Sequence, residues 1–183
     1  MEQNDYKMIR QLHLAAGRCL QDEDYAGALD NLNKVMALLP ETAVQARAML
    51  LSNMGHAQVG LQNYEGALKS FRNSADLFRR LGEKVRLGEQ TGNVGSVYRD
   101  LERWDDSLTA YFQALAIFEE EKNERGIADQ YGNIAYSFSC MGEPSKAFSY
   151  FTEAKKIYDR LGDEEKAVLC AQNLKALQAY ADT

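Results

Sequence analysis

The chain has 183 residues, enough for one domain with a substantial core and too few to expect two. Charged residues make up 26% and hydrophobic ones 45%, ordinary values for a folded protein. With 21 Lys+Arg against 27 Asp+Glu the net charge is −6, the wrong sign for a surface that grips nucleic-acid phosphates.

The basic run Arg79, Arg80, Lys84 and Arg86 is balanced by Glu83 and Glu89 and reads as a solvated turn. Cys19, Cys140 and Cys170 are widely spaced and contain no C-x-x-C pair, so neither a disulfide framework nor a zinc site is expected. The start, Met1 to Asp5, has no basic-then-apolar signal, and no apolar run is long enough for a membrane span. A cytoplasmic address without membrane or nucleic-acid partners is therefore the expectation.

In chain order, the pattern is one of recurrence. Asn53, Asn93, Asn133 and Asn173 stand 40 residues apart, each followed by an apolar residue. A fixed period of this size marks stacked helical repeats. Small residues recur at Ala16, Gly55, Gly95 and Ala135, at Ala28, Ala67, Ser107 and Ala147, and at Val35, Ser74, Ala114 and Ala154. Large ones recur at Leu32, Phe71, Tyr111 and Phe151, and at Leu39, Phe78, Phe118 and Tyr158. Within each repeat the apolar spacings are three and four, the helical period.

Each repeat thus reads as a helix, a turn and a second helix. The expected spans are 5–21 and 25–38, 42–61 and 64–81, 84–101 and 104–121, and 124–141 and 144–161. A final helix over 163–181 lacks a following partner and acts as a cap. Tyr25, Tyr64, Trp104 and Pro144 open the second helices. Asp24 and Asn63 are placed to cap free backbone N–H groups, and Gly82 and Gly162 to end helices in a left-handed conformation. Pro144 fits a first turn, and Pro40 closes the first repeat. That repeat is one residue short, and its asparagine register falls on Leu14.

These columns resemble the tetratricopeptide repeat family over about residues 8–180. The match is best at Asn93-Val94-Gly95-Ser96-Val97-Tyr98 with Trp104, Ser107, Tyr111 and Ala114. The usual repeat has about 34 residues, so this one is similar to the long-repeat branch of G-protein-signalling modulators, kinesin light chains and bacterial peptide-pheromone receptors. The resemblance implies an all-α, right-handed superhelix of four antiparallel helix pairs plus a capping helix. It also implies one domain over 1–183, with repeats at about 5–40, 42–82, 83–122 and 123–162, and a binding module with no cofactor.

In that reading the first helices line a groove, and the asparagines face it. Asparagine is a mediocre helix former, but its carboxamide offers a donor and an acceptor to an extended peptide. In long-repeat relatives the matching asparagine contacts ligand backbone. The alternative is that the amides bridge neighbouring helices. Gly92 and Gly132, directly before two of the asparagines, leave room for close backbone approach. Near the asparagines on that face lie Met49 and His56 in the second repeat, Glu89, Ser96 and Asp100 in the third with Arg99 as the nearby positive charge, Asp129 and Tyr136 in the fourth, and Leu169 in the cap.

A clamp for a terminal carboxylate needs cations on successive first helices. Here Glu89 and Asp129 occupy that column and Arg99 is the nearby cation, so a ligand neutral or basic in its middle is expected. No nucleophile, base and polarising group are assembled, and His13 and His56 lack ligand spacing, so neither an enzyme nor a metal site is expected. A protein or peptide partner is the leading reading. A self-associating homodimer and the sensory half of a bacterial peptide-responsive regulator are the alternatives.

Overall fold

The computed structural model describes residues 3–181, with side chains over 5–179. All nine elements among them are helices. By internal contacts the chain divides into two compact halves, Met1–Gln90 and Thr91–Thr183.

The first half holds α1 (Gln3–Gln21), α2 (Tyr25–Leu38), α3 (Val44–Gly60), α4 (Tyr64–Leu81) and the start of α5 (Lys84–Asp100). The second holds the rest of α5, then α6 (Trp104–Glu120), α7 (Glu124–Cys140), α8 (Pro144–Leu161) and α9 (Glu164–Ala181). Short turns between neighbours force antiparallel pairing. The second helix of every repeat starts at the expected aromatic or proline. Two first helices depart by two residues at their start: α1 begins early, at Gln3, and α3 begins late because Pro40 C=O accepts from Ala43 N–H at 3.0 Å and holds 40–43 as a turn.

The turns repeat as faithfully as the helices. Asp24, Asn63 and Asn123 each accept a backbone N–H three residues on, from Gly27 (2.9 Å), Gly66 (3.1 Å) and Gly126 (3.0 Å). A Cβ at position 27 would lie 2.1 Å from the Asp24 carboxylate, so glycine leaves the cap its space. Gly82 and Gly162 end α4 and α8 in the left-handed region at φ 73° and 69°. Glu23, Gln62 and Glu102 at φ 57° and Lys122 at φ 53° adopt it without being glycine. They are held there by the helix-end bonds Asp24 N–H to Cys19 C=O, Asn63 N–H to Gln58 C=O, Arg103 N–H to Tyr98 C=O and Asn123 N–H to Phe118 C=O, all 2.8–2.9 Å.

The small and large columns meet inside the pairs. In the first half, a Cβ on Gly55 would come within 2.5 Å of the Phe71 ring; in the second, one on Gly95 would come within 2.7 Å of Tyr111. The glycines therefore let the second helix lay an aromatic ring flat on the backbone of the first. Ala28, Ala67, Ser107 and Ala147 are fully buried, and Phe71, Phe78, Tyr111 and Phe118 are nearly so. Each such ring contributes about 1.5–3 kcal/mol by leaving water. The hydroxyl of Ser74, in a column otherwise apolar, donates to Ala48 C=O at 2.8 Å and is satisfied.

The last helix differs. Val168 is 55% exposed, whereas its register mates Ala48 and Ala128 are fully buried under their own second helices. Lys175 stands where the other repeats carry Gly55, Gly95 and Ala135, and it is exposed.

Candidate functional site

The face of each first helix that its partner leaves open carries the asparagine register. In the first half, Asn53 on α3 is half-buried between Met49, 43% exposed, and His56. The His56 ring packs edge-on against Phe71 with centroids 5.1 Å apart, and the desolvation lowers its pKa below 6.5. Glu89 on α5 is exposed and pairs with Arg86 at 3.4 Å.

The second half supplies three registers. Asn93, Asn133 and Asn173 are half-buried on α5, α7 and α9. Among the described residues none of these three carboxamides, nor that of Asn53, makes a hydrogen bond within its own half of the protein. Tyr136 (49% exposed) and Leu169 (57%) lie open beside them. Ser96 accepts from the Tyr111 hydroxyl at 3.1 Å, which ties it to α6. Both Nε and Nη2 of Arg99 donate to Asp100 Oδ1, at 3.1 and 3.0 Å. Its guanidinium lies 5.8 Å over the Tyr136 ring.

Asp129 is not the free groove anion that its column suggests. It accepts from the Tyr158 hydroxyl at 2.7 Å and from Lys166 Nζ. Lys166 also lies 5.4 Å over the Tyr158 ring. Burial first, and then the neighbouring Asp129 carboxylate, pushes the Tyr158 hydroxyl pKa well up, so it stays a proton donor to Asp129. The acidic pull inferred from Glu89 and Asp129 together is therefore removed at Asp129. Lys166 and Tyr158 escape a reading by spacing, since the Lys166 contact crosses 37 residues.

The two glycines before the asparagines differ. A Cβ on Gly92 would sit 3.2 Å from the Gln130 carboxamide, so that room is filled by α7 and not left for a ligand. Above Gly132 the space is open. Gln90 and Gln130, 3% and 5% exposed, each keep a buried Oε1 without a partner among the described residues. Their register also holds Leu50 and Cys170, a mixture with no legible chemistry.

Residues 90–160, two helix pairs of this geometry, match the tetratricopeptide repeat family. That stretch is tetratricopeptide repeat sequence. It is 23% identical over 150 residues to the chloroplastic protein FLUORESCENT IN BLUE LIGHT of Arabidopsis thaliana, covering 79% of this chain and 47% of that one. The structure of apo RapI superposes with a TM-score of 0.83 at 13% identity, over 96% of this chain and 49% of RapI. A Rap protein complexed with competence and sporulation factor superposes with a TM-score of 0.71 at 13% identity, over 94% and 54%. At these identities the structural likeness is one of fold, the all-α helix-pair solenoid. The chain spans about half the length of each of these proteins. Among the described residues no helix is long and apolar enough to cross a membrane.

Proposed function

We propose that this chain is a non-catalytic interaction module of tetratricopeptide type, a scaffold or adaptor that holds a peptide segment of a partner protein on the open first-helix faces of its second half. The observation that carries this is the set of half-buried, unbonded carboxamides at Asn93, Asn133 and Asn173, with exposed Tyr136 and Leu169 beside them; within the first half Asn53 beside exposed Met49 repeats the arrangement. A mid-helix asparagine gives up helix propensity, and an amide with no internal partner keeps its donor and acceptor for a peptide unit. The Rap complex with its factor supports the same reading on a similar fold.

The test is a pull-down with wild type beside the double variant Asn93→Ala/Asn133→Ala, followed by titration of the captured partner. Affinity is expected to drop by about 1–3 kcal/mol with the melting temperature nearly unchanged. Equal affinity with a lowered melting temperature sinks the reading. A second reading, self-association, draws on exposed Tyr6 and Leu14 on α1 and Val168 on α9. Light scattering over a concentration series decides it, and a monomer throughout disposes of it.

A further inference from the structure

We infer that Lys166 on the cap helix sets the charge preference of the binding face in the second half, so that this face takes an uncharged, apolar peptide segment from a partner protein. The inference rests on the groove reading above and sharpens it. The asparagine face of this half carries Arg99, Asp100 and Asp129, and each has an internal partner of opposite charge. Arg99 spends Nε and Nη2 on Asp100 and lays its plane over Tyr136. Asp129 takes Lys166 Nζ and the Tyr158 hydroxyl on one oxygen, Oδ1. The remaining charges near Asp129 are paired as well, Arg125 with Asp163 at 2.8 Å and Arg160 with Glu124 at 2.9 Å.

What this leaves for a ligand is apolar or neutral: the Tyr136 ring, the Leu169 side chain, the Cys140 thiol and three free carboxamides. A lysine or arginine brought to Asp129 meets a carboxylate whose charge Lys166 already offsets at Oδ1, so it gains less than it would at a bare carboxylate. An acidic side chain meets no free cation at Arg99. Charge compensation inside the face thus works against both signs of ligand, and discrimination comes from what it refuses. The register position of Asp129 makes Lys166 the deciding residue, because an uncovered carboxylate there restores attraction for a cationic side chain.

The experiment selects a random twelve-residue phage-displayed peptide library on the full chain and, in parallel, on Lys166→Met and on Lys166→Met/Asp129→Asn. Melting curves confirm that all three fold, which is expected because the Lys166 and Asp129 side chains are 41% and 34% exposed. Wild type is expected to enrich apolar and aromatic peptides of net charge near zero. Lys166→Met is expected to shift the pool toward lysine and arginine, with at least a threefold gain for a wild-type-selected peptide given one added lysine. The double variant is expected to return to the neutral pool. A charged wild-type pool, or a Lys166→Met pool that stays neutral, overturns the inference while leaving the groove reading standing. Failure of all three proteins to enrich any peptide overturns the groove reading and this inference with it.

Discussion

The seam between paired helices and the open asparagine face both repeat every 40 residues, yet they obey opposite rules. In the seam, periodicity goes with complete burial: Ala28, Ala67, Ser107 and Ala147 are inaccessible, and Gly55 and Gly95 admit a ring at less than a Cβ's clearance. On the asparagine face, periodicity goes with partial exposure and unspent hydrogen-bonding groups. Recurrence alone therefore does not separate packing from recognition. Recurrence together with burial separates packed faces from open ones, and the difference can be tested from both sides.

The largest effect belongs to the seam. Phe71→Ala is expected to cost about 3–5 kcal/mol in urea unfolding, because a large ring leaves a cavity against Gly55. Gly95→Ala, only one methyl, is expected to cost about 1–2 kcal/mol despite better helix propensity, since its Cβ lands 2.7 Å from the buried Tyr111 ring. The other side of the comparison reverses the sign. Gly132→Ala meets nothing within 4 Å and is expected to gain up to about 1 kcal/mol. A loss there would show the open face to be packing after all. Glu102→Gly, at φ 57°, is expected to gain about 0.5–1 kcal/mol by relieving left-handed strain.

The smallest effect is one of pH. Because His56 has a lowered pKa in the folded state, the unfolded chain binds its proton more readily. Stability is therefore complete above pH 6.5 and falls as pH drops below it. Equilibrium unfolding at pH 7 and pH 5 is expected to show a smaller drop for His56→Gln than for wild type. An identical drop would show that packing against Phe71 does not desolvate this partly exposed ring.

How much of this is readable from residues alone follows the same division. Helix starts at Tyr25, Tyr64, Trp104 and Pro144 are legible because aromatic and proline residues mark the turn chemistry directly. The Asn123 cap was equally readable, since Asn-Glu-Arg-Gly repeats the pattern of Asn-Tyr-Glu-Gly at 63–66. Left-handed Glu23, Gln62, Glu102 and Lys122 were not, because their conformation is imposed by the helix-end hydrogen bond and not by their own side chains. The asparagine register was legible as a column. Its electrostatics were not, because the cation on Asp129 comes from a helix 37 residues away with no periodic counterpart.

Lys175 has a bearing on engineering this scaffold. It places a long cation at the one spot on α9 where every preceding first helix offers a small side chain to a second helix. A grafted extension of the array at this end has to begin by carving that seat, with Lys175→Gly and Val168→Ala, before any new helix can close over it.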